Sequence, residues 1–320
     1  KRSILIFVFT MTNVLMIFAQ NNSCNRFFTT QITYNDDFLD LHYNNTTVGN
    51  DYKIFHRTNE NVNTDLNILD IKKPIIVIEG YDIFYTESCQ EIYDHYINYD
   101  DLGDDLRAEG YDIITFNLSY PMAAIQPNAL IFANFIDFIN NNKTGNEELI
   151  IMGVSMGGLI ARYALTYMEE KNMQHQTKLF LSFDSPQKGG YAPLSMQALL
   201  TDPSVQVAAM LAAGAANSPE LAYLINCFVS DGSRQMLTHH VAEIENGYAA
   251  PLPYYDLFFN ELDNLNSCGG YPVNCKSVAI SNGSISGETQ NGLNLYGDYS
   301  GNLAVGFKIG SGILAAYRGL

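Results

Sequence analysis

A serine flanked by two glycines is the residue of this sequence best suited to chemistry. The pentapeptide Gly153-Val154-Ser155-Met156-Gly157 stands between an apolar run and an amphipathic run, so a strand would feed a helix through a very tight turn. Glycines are needed there because side chains would collide with the strand and the helix. Such a turn lifts the Ser155 hydroxyl above the sheet and directs the Met156 N–H at a carbonyl oxygen under attack. The pattern predicts a nucleophilic serine; the alternative is an ordinary glycine-rich turn.

A second turn supplies a candidate for the other half of an oxyanion hole. Ile78-Glu79-Gly80-Tyr81 ends an earlier apolar run. Nucleophile-elbow enzymes take their second oxyanion donor from the loop after such a strand, and here it would be the Tyr81 N–H, with Gly80 permitting close approach. A plain strand-ending glycine is the alternative. The position upstream of Ser155 favours the functional interpretation.

The general base is the open question in this sequence. Activating a serine requires a histidine within hydrogen-bond reach and a carboxylate that orients it. Only His175, His239 and His240 follow Ser155. His175 lies in a polar loop on the expected wrong side of the sheet, whereas His239 and His240 lie in a later insertion. Two alternatives stay open: His240 reaches the site from the insertion, or the base lies beyond Leu320.

Asp184 is the expected catalytic acid. It ends an apolar run and follows Ser155 by 29 residues, in the chain order nucleophile, acid, base. An acid after the next strand would instead be Glu288 or Asp298, in a loop rich in Gly and Asn. No His-x-x-x-His or Cys-x-x-Cys spacing occurs, so the sequence implies neither a metal nor another cofactor.

The elements that must position these residues alternate along the chain. Strands are expected at 75–78, 111–116, 149–154, 179–183 and 278–280, and helices at 101–109, 127–140 and 156–170. This alternation predicts an α/β fold with a doubly wound, mainly parallel sheet and a site at the carboxyl ends of its strands. Residues 193–267 interrupt the alternation with a mostly helical insertion, either a packed subdomain or a cap or lid over the site.

Several of these segments resemble bacterial lipase- and esterase-like α/β-hydrolases. Residues 155–165 (SMGGLIARYAL) resemble their elbow, and residues 184–190 are similar to their Thr-Pro-His-x-Gly-Ser segment, with Gln187 in place of His. Glu79-Gly80 stands where these lipases usually carry His-Gly. Residues 279–284, and Asn128-Ala129 ahead of a helix, resemble exported hydrolases of Bacteroidetes type. The resemblance covers residues 73–190 well and 276–284 weakly.

The resemblance implies the α/β-hydrolase fold and an exported serine hydrolase that cleaves a carboxylic ester through an acyl-enzyme on Ser155. Tyr81 and Met156 would form the oxyanion hole, and Asp184 and His240 would complete the catalytic set. The apolar insertion favours a small-molecule or lipid ester as substrate. Two alternatives remain: an amidase or peptidase-type deacylase on the same machinery, and a non-catalytic surface-binding protein that lacks a working base.

The chain divides into five segments by composition and pattern. These are a signal peptide (1–20), an N-terminal peripheral segment (21–72), the hydrolase core (73–192), the helical insertion (193–267) and a continuation of the core that is expected to be truncated (268–320). Lys1 and Arg2 before an apolar stretch that ends near Ala19 are typical of a signal peptide. A membrane anchor is the alternative, but the stretch is shorter than the ~20 residues of a membrane span.

Charge and cysteine content bound the partners and the compartment. With 17 Lys+Arg against 34 Asp+Glu, the net charge is −17, which argues against binding to nucleic acid or anionic lipid. We expect a secreted, periplasmic or cell-surface protein without a stable transmembrane anchor after signal cleavage. Export permits disulfides, and Cys268 and Cys275 bracket a turn that they could close; buried free thiols are the alternative.

Overall fold

The structure is a computed structural model that describes residues 24, 26–36, 41–65, 68–85, 87–194, 197, 201, 227–245, 248–249, 251–281, 303–309 and 312–318. The predicted signal peptide, Glu288 and Asp298 lie outside the described residues, as does the most apolar part of the insertion.

A seven-stranded sheet forms the centre of the described chain. Its strands are β1 (Arg26–Asp36), β2 (Leu41–Phe55), β3 (Pro74–Ile78), β4 (Asp112–Asn117), β5 (Leu149–Val154), β6 (Thr177–Phe183) and β9 (Lys276–Ile280). They lie in the order β1-β2-β4-β3-β5-β6-β9, with β1 and β2 antiparallel at one edge and the other five parallel. The predicted α/β fold with a mainly parallel sheet is confirmed.

Two small hairpins stand outside this sheet. Strand β7 (Ile244–Glu245) pairs with β8 (Tyr248–Ala249), and β10 (Leu303–Ile309) pairs with β11 (Gly312–Arg318).

Six α-helices belong to the described residues. They are α1 (Cys89–Ile92), α2 (Leu102–Ala108), α3 (Ile125–Asn142), α4 (Met156–Glu170), α5 (Asp231–Met236) and α6 (Pro253–Asn264). A π-helical turn, Tyr93–Ile97, continues α1, and a 3-10 turn, Tyr99–Asp101, precedes α2. Within the described part of the chain, no helix combines the length and the apolar character needed to span a membrane.

The central strands are buried on both faces, as their continuous apolar runs predict. Alternate residues of β3 point to opposite faces because the side-chain period of a strand is two. Ile76 and Ile78 therefore join the core that contains α3 and α4, whereas Ile75 and Val77 join a second core with α1 and the π-helical turn.

The sheet order places a crevice at the ends of β3 and β5. These two strands are neighbours, but β3 leads to β4 on one side and β5 leads to β6 on the other. Ligands of open α/β sheets bind where connections diverge in this way, outside the carboxyl ends of the strands. The residues that follow β3 and β5 are Glu79 and Ser155.

The element boundaries agree best where the sequence pattern is strongest. β5 and α4 have the predicted bounds. Helix α3 begins at Ile125, two residues before the predicted start at Pro127. The helix can include Pro127 because that residue falls in the first turn, where a backbone N–H has no acceptor within the helix.

A disulfide joins Cys24 to Cys89, 65 residues apart in sequence. It ties the segment before β1 to the start of α1. Of the two alternatives for Cys268 and Cys275, a bridge between them is wrong: both are free thiols, as is the buried Cys227.

Candidate active site

Ser155 occupies a strained turn between β5 and α4. Its backbone has φ 50° and ψ −123°, a region that residues with a side chain rarely enter. The Ser155 N–H donates to the Phe183 carbonyl of β6 at 3.0 Å, which fixes the turn to the sheet. The side chain is partly exposed beyond the carboxyl end of β5.

The flanking glycines are required by close backbone contacts. A Cβ at Gly153 would lie 2.5 Å from the Gly157 carbonyl oxygen, and a Cβ at Gly157 would lie 2.2 Å from the Glu79 carbonyl oxygen. Neither neighbour can move without shifting a strand or a helix. The spacing of glycines in the sequence therefore reflects the packing of α4 against β3 and β5.

The loop after β3 passes directly over Ser155. A Cβ at Gly80 would lie 2.8 Å from the Ser155 Cβ and 3.5 Å from its Oγ. Among the backbone hydrogen bonds of the described residues, none has the N–H of Tyr81 or Met156 as its donor. Met156 is the first residue of α4, so its N–H has no helical acceptor. The Tyr81 amide, in the loop after β3, and the Met156 amide, at the start of α4, thus have no backbone acceptor in the described part of the chain.

Asp184 follows β6, the neighbour of β5. It has φ 45°, and its N–H donates to the Ile280 carbonyl at 2.7 Å. Its side chain is exposed at the same edge of the sheet as Ser155.

His240, the expected base within the chain, has backbone partners at both ring nitrogens. The residue is only 3% exposed; its Nε2 lies 2.9 Å from the Phe228 carbonyl oxygen, and its Nδ1 accepts the Ala242 N–H at 3.1 Å. Both ring nitrogens therefore bond to the backbone of the insertion. In this arrangement the imidazole has no free lone pair for the serine proton.

The two other histidines after Ser155 differ in their surroundings. His175 is buried between Glu169, 3.1 Å from its Nε2, and the Thr177 N–H, so it stabilises the turn before β6. His239 is partly exposed, and its Nδ1 lies 3.0 Å from the Thr238 hydroxyl. Burial lowers the pKa of His239, which favours the neutral imidazole that a general base requires.

Glu79 is a buried acid immediately beside the site. It is 1% exposed; one carboxyl oxygen accepts the Leu118 N–H, and the other has no hydrogen-bond partner. Burial raises the pKa of Glu79 well above its usual value, the Leu118 N–H opposes this, and the charges of Glu87 and Asp82 add to it. The sequence identified Glu79 only as a replacement for a lipase histidine, whereas its raised pKa depends on burial by the residues around it.

Gln187, the other replacement, has a structural role. Its amide donates to the Ser182 hydroxyl at 2.9 Å, and the fully buried Arg162 of α4 donates to its carbonyl oxygen at 2.9 Å. Arg162 also pairs with Asp263 of α6 at 2.9 Å. The segment after Asp184 is thereby fixed to the helix that begins at Ser155.

In the portion of the chain that the structure describes, no three His, Cys, Asp or Glu side chains are grouped as metal ligands would be. The chemistry available at the site is that of a serine hydroxyl, two backbone amides and nearby carboxyl groups.

Comparison with known proteins agrees with this description. A family model described as alpha/beta hydrolase fold matches residues 89–172, which include β4, β5, Ser155 and α4. The lysosomal thioesterase PPT2 homolog of Drosophila melanogaster is 34% identical over 73 residues, 22% of this chain and 24% of that protein. The match thus spans about a quarter of the length of this curated relative.

Solved structures of lipases and esterases show a weaker likeness. The mature form of the Bacillus licheniformis lipase BlEst2 has a TM-score of 0.42 at 14% identity, covering 71% of this chain and 70% of that one. Esterase Est22 has a TM-score of 0.33 at 11% identity, covering 56% and 50%. By its sheet order, its elbow and the matched family model, the chain is a protein of the α/β-hydrolase fold.

Proposed function

We propose that the chain is an exported serine hydrolase that cleaves carboxylic esters, lipase- or esterase-like and of Bacteroidetes type, through an acyl-enzyme on Ser155. The observation that carries the proposal is the strained Ser155 backbone, with φ 50°, beside two amides that donate to no backbone acceptor. Backbone strain of this kind is retained where function uses it. An ordinary turn between a strand and a helix needs neither the strain nor the free amides.

The proposed reaction uses this geometry. Ser155 Oγ attacks the ester carbonyl carbon, and the resulting oxyanion accepts hydrogen bonds from the Tyr81 and Met156 amides. Loss of one such donor typically costs ~10²–10³ in turnover. A histidine takes the serine proton and returns it to the leaving alcohol, and water then hydrolyses the acyl-serine by the same steps. Asp184 orients that histidine.

Three altered proteins test which histidine is the general base. His240 serves as base only if it exchanges its bonds to Phe228 and Ala242 for one to Ser155, and His239 is the other candidate in the insertion. His239→Ala, His240→Ala and a chain extended past Leu320 separate these possibilities. Loss of turnover in one variant identifies the base, and a gain only in the extended chain places it beyond Leu320.

Export is part of the proposal. The pattern of residues 1–20 and the Cys24–Cys89 disulfide both favour an oxidising compartment outside the cytoplasm. We expect the chain, expressed with its own leader, to appear outside the inner membrane with an N-terminus near Gln20. Recovery of uncleaved chain in the cytoplasmic fraction would contradict this part.

Ser155→Ala tests the nucleophile. The substitution removes one oxygen at a partly exposed position, so the fold should be unchanged while hydrolysis of p-nitrophenyl butyrate falls by about 10⁴-fold or more. A fluorophosphonate probe should label the unchanged protein and not the variant. Ser277→Ala, on the exposed strand β9, is the matched control and should behave as the unchanged protein.

Other results distinguish the alternatives. Turnover retained in Ser155→Ala would refute the nucleophile. A folded protein that neither turns over esters nor reacts with the probe would favour the non-catalytic binding protein.

A thioester is the second candidate substrate. The 34% identity to a thioesterase over 73 residues favours it. A thiolate also leaves with less help from a general acid than an alkoxide does, which suits a site where His240 is engaged elsewhere. Rates on the butyryl oxygen ester, thioester and anilide compare the three classes directly; fastest cleavage of the anilide would favour the amidase alternative.

A further inference from the structure

The segment Cys227–Met236, here called the clasp, lies against both oxyanion residues. The Tyr81 hydroxyl donates to the Cys227 carbonyl at 2.8 Å and lies 2.5 Å from the Ser230 hydroxyl. Ser230 also caps α5 by accepting the Ser233 N–H. The side chain of Tyr81 therefore bonds to the residue that caps α5.

The other oxyanion residue meets the same segment. A Cβ at Gly232 would lie 3.3 Å from the sulfur of Met156. Tyr81 and Met156, the two residues proposed to supply oxyanion donors, thus both have side chains that lie beside the clasp.

The clasp is held in place independently of Tyr81. The Gly232 N–H donates to the Met122 carbonyl at 3.1 Å. Gln235, fully buried, accepts the Ile125 N–H at 2.8 Å and donates to the Gln126 side chain at 2.7 Å. Because Ile125 and Gln126 begin the long helix α3, these bonds anchor the clasp to that helix. A loop that bonds to the clasp is therefore held in place.

The loop after β3 requires a stabilising contact of this kind. Gly80 lies so close to Ser155 that a Cβ at Gly80 would be 2.8 Å from the Ser155 Cβ. Among the backbone hydrogen bonds of the described residues, none has the N–H of the next residue, Tyr81, as its donor. A loop whose amide must stay free for substrate cannot be fixed through that amide. The phenol is the group of Tyr81 that is fixed.

We infer that the Tyr81 phenol is a positioning residue: by bonding to Cys227 and Ser230 it holds the Tyr81 N–H at the height above Ser155 that an oxyanion requires. The inference rests on the proposed function. Burial raises the pKa of Tyr81 to about 12, so the phenol remains a donor throughout the neutral range. Misplacing a catalytic group by about 1 Å can cost ~10²-fold in rate, and a loosened loop should cost part of that.

A double-mutant cycle in turnover tests the inference. Tyr81→Phe and Ser230→Ala should each lower kcat on p-nitrophenyl butyrate about 10-fold and leave KM within about twofold, because the loop acts on the transition state. The kcat of the double variant should be no lower than that of the worse single variant, because both substitutions remove the same contact between Tyr81 and the clasp. Tyr93→Phe is the control, since it loses a phenol hydrogen bond to Asp104 far from the clasp.

Hydrogen exchange measured on the full chain gives a readout that needs no activity. Tyr81→Phe should raise exchange in the peptides that contain Tyr81 and the clasp, and Tyr93→Phe should raise neither. An unchanged exchange pattern, an unchanged kcat or losses that multiply in the double variant would each overturn the inference. Absence of turnover in the unchanged protein would refute the proposed function instead. Hydrogen exchange would still show whether the Tyr81 phenol holds its loop against the clasp.

Discussion

Replacing Glu79 by Gln should change how stability depends on pH. Glu79 is 1% exposed, with one oxygen bonded to the Leu118 N–H and the other without a partner. Its burial raises the pKa well above the usual value of 4.5, and the nearby Glu87 and Asp82 raise it further. Among the described residues, no cation contributes to the pKa of Glu79, and Tyr96 is a further titratable group that interacts with it.

The sign and size of the effect follow from proton linkage. Above pH 4.5 the unfolded chain releases the Glu79 proton, while the folded chain keeps it until its own higher pKa is reached. The free energy of unfolding therefore falls as pH rises across that interval, by at most about 1.4 kcal/mol per pH unit. Gln cannot titrate, so the variant lacks this contribution.

Urea unfolding at pH 5, 6, 7 and 8 measures the effect. The difference in unfolding free energy, variant minus unchanged protein, should become steadily more positive toward pH 8. Glu148→Gln, at an exposed position, is the control and should give a flat difference. Parallel pH profiles for the Glu79→Gln variant and the unchanged protein would mean that Glu79 is ionised in the fold, and would refute the reasoning.

Two further predictions concern backbone geometry and the disulfide. Gly157→Ala should abolish ester hydrolysis and lower the melting temperature, because its Cβ would lie 2.2 Å from the Glu79 carbonyl oxygen; Gly269→Ala, at φ +64° with no atom within 4 Å of the added Cβ, should cost only about 1 kcal/mol and keep activity. Equal losses in both would contradict this. Replacing Cys24 and Cys89 by Ser should lower the unfolding free energy by about 4 kcal/mol, from the chain entropy of a loop of 65 residues, and reductant should do the same to the unchanged protein. Insensitivity to reductant would show that the bridge does not form.

The position of the nucleophile followed from the sequence because its causes are local. Gly153, Ser155 and Gly157 lie within five residues, and the clash that each glycine avoids involves the strand and helix that the neighbouring pattern predicts. Apolar runs without polar interruption likewise indicated the buried strands, and their alternation with helices indicated the parallel sheet. The bounds of β5 and α4 were predictable to the residue for this reason.

The roles of other side chains depended on partners distant in sequence. Cys24 bonds to Cys89, 65 residues away, and no periodicity encodes that pairing. His240 has the right type and chain order for a base, yet the Phe228 carbonyl and the Ala242 N–H hold its ring nitrogens. Residue type and chain order restrict such a group to a few candidates, but hydrogen bonds form between whichever groups the fold brings within about 3 Å.

Tyr81 and Glu79, which lie within three residues of one loop, show which features the sequence determines and which depend on the tertiary structure. The sequence determined that a strand ends here and that a glycine allows a close approach to Ser155. Only the tertiary structure decided that the Tyr81 phenol bonds to Cys227, 146 residues away, and that Glu79 is buried. Desolvation and hydrogen bonding depend on the atoms packed around a group, and those atoms come from segments that the chain brings together only on folding.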